Sequence, residues 1–112
     1  MCTGALVLGA AGLLRGRRAT THWAVLDRLE KFGATPVGER VVIDGKVITA
    51  AGVSAGIDMA LRLAERLADA TTAQGIQLGI EYDPQPPFAG SPKTAPAAVV
   101  EAALRALARA GG

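Results

Sequence analysis

The one cysteine of the chain is its second residue, in Met1-Cys2-Thr3-Gly4-Ala5-Leu6, at the head of an apolar run. A thiolate is a strong nucleophile, and backbone N–H groups at a helix N-terminus favour the anion over the thiol. Thr3 and Gly4 would offer N–H groups to negative charge developing beside the sulfur. Set between a strand and this helix, Cys2 would be the cysteine form of the elbow that hydrolases use. The plain alternative is a buried, inert thiol. His22 is the only histidine and closes the strand-like stretch Ala19-Thr20-Thr21. Strand ends are where α/β proteins gather functional groups. A Cys–His pair within hydrogen-bond reach would support nucleophilic catalysis. A histidine that caps the following helix is the competing reading. Removal of Met1 would also leave Cys2 with a terminal amine as its own base, but such nucleophiles usually sit on strands, and these residues favour a helix.

Other polar residues carry less chemistry. Ser54, Thr49 and Asp58 do not make a serine triad: Ser54 reads as a helix cap, and Asp58 falls on the wet side of its helix. Glu81, Tyr82 and Asp83 lie in a proline-rich loop and could line a pocket or a partner surface. The glycines follow no dinucleotide or phosphate-loop pattern. One cysteine and one histidine imply neither a disulfide nor a metal site, so no cofactor is expected.

These residues need elements to position them. Thr3 to Leu14 reads as an apolar helix without a polar face, hence buried on most sides, with Gly4, Gly9 and Gly12 permitting close approach to a sheet. Arg18 to Thr21 reads as a brief strand. A helix from Trp23 to Lys31 comes after it, stopped by Gly33. In "RVVIDGKVITA" two β-branched runs flank Asp44-Gly45, a hairpin signal. A long helix runs from Val53 or Ser54 to Ala70, with Asp58 and Arg62 at helix-supporting spacing. Further helices cover Thr72 to Ile80 and Val99 to Ala108, on either side of a segment that holds five of the six prolines. The order is that of an α/β protein, but a helix as apolar as the first normally succeeds a buried strand. The sequence therefore reads as starting inside a structural unit.

The chain of 112 residues is 50% apolar but only 4% aromatic, so its core must come from Leu, Val, Ile and Ala. That suits one small domain. A net charge of +2 gives no reason to expect nucleic acid, and Arg15-Gly16-Arg17-Arg18 reads as a solvated turn. No signal peptide is legible, and no apolar run reaches the roughly 18 residues of a membrane span. With a single thiol, a reducing cytoplasm is the expected compartment.

Three ordered stretches carry a resemblance. "CTGALVLGAAGLLRGRRATTHW", "GKVITAAGVSAGIDMALRLAERL" and "IQLGIEYDPQPPF" resemble the DJ-1/PfpI superfamily, most closely its isocyanide hydratase branch. The resemblance implies a flavodoxin-like, DJ-1-like three-layer sandwich, with Cys2 as nucleophile. Thr3 would help to stabilise charge, and His22 would stand nearby without being the essential base. It implies addition of the thiolate to an isocyanide carbon and release of an N-substituted formamide by water, in a protein that is a homodimer at full length. Family members are about twice as long and draw an acidic catalytic residue from their first half. On that ground residues 1–112 are expected to be the C-terminal part of one such domain, a fragment lacking the N-terminal strands and that acidic residue, and so inactive alone. A DJ-1-like thiol stress protein, the ligand-sensing domain of a transcription regulator and a gene remnant are the alternatives. No nucleic-acid or membrane partner is expected.

Overall fold

The N-terminal run folds as a helix, but on fewer residues than its apolar character suggests. The structure, a computed structural model, describes residues 1–111. Helix α1 spans Gly4–Ala10 and gives way to turns that end at Gly16. Gly12 stops it, with a φ of 81° that L residues rarely adopt. Burial is one-sided: Ala5 and Gly9 face inward, whereas Val7 is 70% exposed. Gly9 is the residue that lets α1 approach its neighbour. A Cβ there would lie 2.5 Å from Phe32 Cδ2 and 2.9 Å from Phe32 Cβ, so the close approach is to the segment around Phe32 rather than to a sheet. Gly9→Ala is therefore expected to lower stability by about 1–2 kcal/mol in urea unfolding, overpacking outweighing the gain in helix propensity. Gly75→Ala is the control: nothing lies within 4 Å of its Cβ position, and it should gain up to about 1 kcal/mol.

Strand β1, Arg18–Ala19, pairs in parallel with β2, Thr35–Pro36. Between them Trp23–Phe32 forms 3₁₀ turns instead of the expected α-helix, broken where Val25 leaves helical backbone (φ −129°, ψ 16°). Gly33 ends it in the left-handed region, as its position in the sequence suggests. The hairpin also lies where the sequence places it. Strands β3 (Val41–Asp44) and β4 (Val47–Ala50) pair antiparallel, with Asp44 opposite Val47. Gly45 takes positive φ at the first turn position, the type II′ pattern. Side chains tie β1 to this hairpin: Arg18 N–H donates to Asp44 Oδ2 (2.8 Å) and Thr20 N–H to Thr49 Oγ1 (2.9 Å). Ala5, Leu14, Ala19, Leu29 and Ala34 make the small core under β1.

Helix α2 spans Ala55–Leu67 and α3 spans Ala70–Gly79. Asp69 caps α3 by accepting from Thr72 N–H (2.7 Å), and that bond holds its carboxyl below the usual range. Elements α1 to α3 belong to one unit, Met1–Tyr82; Asp83–Gly112 forms a second. In the second, Thr94 and Ala95 N–H close a turn on the Ser91 carbonyl. Helix α4, Ala97–Gly111, starts just after Pro96 and carries a Glu101–Arg105 ion pair. No helix among the described residues is long and apolar enough to cross a membrane.

The α/β class stands, but the sandwich stripped of its N-terminal strands is corrected. The chain folds from its first residues: α1 is formed, β1 is in place, and β2 pairs with it. The expectation arose from the absence of a strand before Cys2. Backbone groups of Cys2 are instead held by residues just past β4 and β1.

Candidate active site around Cys2

Two chain segments converge on Cys2. Its N–H donates to the Ala51 carbonyl just past β4 (2.7 Å). Its carbonyl accepts from His22 N–H (3.0 Å) and from the Thr21 hydroxyl (2.5 Å), both just past β1. Cys2 itself has a φ of 51°. A non-glycine residue in that region costs of order 1–3 kcal/mol and persists where its surroundings over-determine it. Here the surroundings are those three hydrogen bonds. Cys2 is partly exposed, so the thiol is neither sealed in the core nor free of it.

Thr3 and Gly4 have different parts here. Gly4 N–H is closed on the Met1 carbonyl (2.9 Å), which takes it out of the role expected for it. The Cys2 amide is likewise spent on Ala51. Thr3, the N-cap of α1 and exposed, is the next amide after the nucleophile. Its hydroxyl makes no cap hydrogen bond, so any part it plays near Cys2 falls to the backbone.

His22 does what the competing reading of a capping histidine described. Its Nδ1 accepts from Ala24 N–H (3.2 Å), capping the 3₁₀ segment. With Nδ1 as acceptor, the neutral ring carries its proton on Nε2. The ring is tilted 33° against Trp23 at 5.5 Å, and its Cδ2 lies 3.6 Å from where a side chain at Gly52 would begin. Backbone hydrogen bonding thus brings Cys2 and His22 together.

Away from Cys2, an open cavity of about 460 Å³ is lined by Arg40, Asp58, Arg62, Glu65, Gln77 and Tyr82, among others. Cys2, Thr3 and His22 take no part in it. Asp58 is not on a merely wet face, as periodicity suggested. Its Oδ2 accepts from Arg40 Nε (2.6 Å) and its Oδ1 from the Tyr82 hydroxyl. Arg62, the expected partner of Asp58, pairs with Glu65 instead (3.6 Å). Ser54 stands at the start of α2 but caps nothing, its Oγ accepting from Arg40 (3.3 Å). The Arg40 hydrogen bond, ahead of that from Tyr82, lowers the Asp58 carboxyl below the ordinary range against the opposing effect of burial. The Tyr82 phenol is raised, chiefly by donating to Asp58.

A lowered carboxyl in the folded state contributes stability above its unfolded value, near pH 3.9, and that contribution is lost as pH falls through the folded value. Asp58→Asn is therefore expected to cost about 1 kcal/mol at neutral pH. It should also flatten the loss of urea midpoint below about pH 4. An acid limb equally steep in the variant would refute the assignment.

The comparisons with known proteins give the chain its family. The chain is 59% identical over 106 residues to an isonitrile hydratase of Pseudomonas putida, covering 94% of this chain and 46% of that protein. It is 41% identical over 85 residues to the HTH-type transcriptional regulator CdhR of Pseudomonas aeruginosa, covering 74% of this chain and 24% of that one. The crystal structure of a THiJ/PfpI family protein from Pseudomonas syringae superposes with a TM-score of 0.89 at 53% identity, over 96% of this chain and 45% of that chain. The similarity thus runs through nearly the whole chain, α1 and the first strands included. The expectation of a fragment lacking its N-terminal strands is corrected to that extent: the match takes in 94% of the chain. In length the chain spans about half of the isonitrile hydratase it matches. The model of the DJ-1/PfpI family matches residues 1–66, the stretch that holds Cys2, Thr3, Thr21, His22 and Gly52, and the chain belongs to that family.

Proposed function

We propose that this chain carries the nucleophile of an isocyanide hydratase, with Cys2 adding to the isocyanide carbon. The observation that carries the reading is the left-handed backbone of Cys2, held by bonds to Ala51, Thr21 and His22 while its side chain stays partly exposed. Such strain, kept by surrounding structure, is characteristic of sites where geometry serves chemistry. The 59% identity to an isonitrile hydratase supports the choice of substrate.

In the proposed reaction the sulfur bonds to the terminal carbon of R–N≡C, and that carbon gains the thiol's proton, giving a thioimidate, R–N=CH–S–Cys2. Water then bonds to the same carbon. The C–S bond breaks, the sulfur recovers a proton from the water, and R–NH–CHO leaves. Nothing is oxidised or reduced. The Thr3 amide is the proposed donor to negative charge formed during water attack, and the Nε2–H of His22 is the proposed second donor, a role consistent with its capped Nδ1. Outward apolar side chains such as Val7, Leu67 and Leu78 would be covered in the homodimer proposed from the family resemblance.

The test is incubation of the protein with an alkyl isocyanide in H₂¹⁸O. The reading expects N-alkylformamide bearing ¹⁸O, and a transient protein adduct equal in mass to the isocyanide. Formamide no faster than in buffer, with no adduct on Cys2, would overturn it.

A further inference from the structure

Thr21 is 1% exposed, one of three buried threonines, with Thr20 and Thr49, among buried residues that are otherwise Leu, Val and Ala. A buried hydroxyl must find a partner, and the loss of that partner is costly. The partner it has is the carbonyl of Cys2, at 2.5 Å. That carbonyl belongs to the residue whose φ is 51°. Rotation of Cys2 toward ordinary backbone geometry would turn the carbonyl away from both of its donors, the Thr21 hydroxyl and the His22 amide. Every residue between β1 and the 3₁₀ segment is then accounted for. The Thr20 amide ties β1 to β4, the Thr21 hydroxyl and His22 amide hold Cys2, and the His22 ring caps the 3₁₀ segment.

We infer that Thr21 is a positioning residue for the nucleophile: its hydroxyl fixes the Cys2 carbonyl, and through it the left-handed backbone that sets the direction of the thiol. The inference rests on the reading of Cys2 as nucleophile but not on isocyanide as substrate. Valine suits the test because it keeps the β-branched shape and removes only the donor. Serine keeps the donor and loses one methyl group.

The experiment measures the rate of Cys2 alkylation by iodoacetamide, read by intact mass, in the wild-type chain and in Thr21→Val and Thr21→Ser. Thr21→Val is expected to slow alkylation about tenfold, the equivalent of one lost hydrogen bond, with Thr21→Ser within about twofold of wild type. Circular dichroism shows whether each variant is folded. If Thr21→Val does not fold, the wild-type chain decides by NMR: a Thr21 hydroxyl proton protected from exchange and scalar-coupled to the Cys2 carbonyl carbon is expected. Alkylation of folded Thr21→Val at the wild-type rate, a serine variant as slow as the valine one, or a wild-type Thr21 hydroxyl in rapid exchange would each overturn the inference. A chain that shows the Thr21 effect but makes no formamide would refute isocyanide hydration and leave the role of Thr21 standing.

Discussion

Cys2→Ala is expected to abolish formamide production from isocyanide, and Cys2→Ser to reduce it at least about a thousandfold, because a serine hydroxyl without an adjacent base is a far weaker nucleophile than a thiolate. Neither change should unfold the chain. Alanine and serine meet the same backbone cost at a φ of 51° as cysteine does, and the three hydrogen bonds at this position use main-chain atoms of Cys2. Glycine sharpens the test. Positive φ costs glycine little, so Cys2→Gly should be as inactive as the alanine variant and more stable than wild type by up to about 1 kcal/mol. Loss of activity combined with a gain in stability is the outcome that separates a strained nucleophile from a merely structural cysteine. Turnover by the alanine variant at the wild-type rate would remove Cys2 from the chemistry.

How much of this molecule is legible in its sequence depends on the range of the interactions involved. Gly33 as a helix stop, the Asp44-Gly45 hairpin signal and the helix that begins beside Cys2 are local, and each is set by residues within a few positions of one another. The 3₁₀ character of Trp23–Phe32 is hidden because its hydrophobic spacing is close to that of an α-helix, while its backbone break at Val25 leaves no mark on periodicity. Strand β2 gives no signal because it has two residues, one of them Pro36, which is too short for any alternation to show. The ties that hold the site are longer in range. Thr21 reaches Cys2 across 19 positions, and Asp58 is bound from Arg40 and Tyr82 across 18 and 24. Helical periodicity places Asp58 on a polar face but says nothing of the groups that meet it there. Likewise "ATTHW" reads as a strand leading to a histidine, and nothing local distinguishes Thr20, whose amide serves β4, from Thr21, whose hydroxyl serves Cys2.

The second large effect concerns the core that carries this geometry. Leu29 is fully buried, as is Leu14, and both belong to the cluster completed by Ala5, Ala19 and Ala34. Three of those five residues are alanines, so the two leucines supply most of the cluster's fully buried apolar volume, with Leu6, Leu8, Leu26 and Val47 packed against it only partly buried. Leu29→Ala is accordingly expected to cost about 2–5 kcal/mol. A domain of this size has a total stability of only about 5–15 kcal/mol, so the loss is a large share of it. The effect should also reach the site. Leu29 shares its cluster with Ala19 of β1, and the residues just past β1 hold Cys2 through its carbonyl. Urea unfolding should give a much lower midpoint for Leu29→Ala, and alkylation of Cys2 in the still-folded protein should vary more from wild type than it does in Gly75→Ala. A conservative Leu29→Met should recover most of both losses, since near-isosteric apolar exchanges usually cost less than about 1.5 kcal/mol. Equal stability of the alanine variant and wild type would mean that the core under β1 does not support the fold, and the route by which that core positions the nucleophile would fail with it.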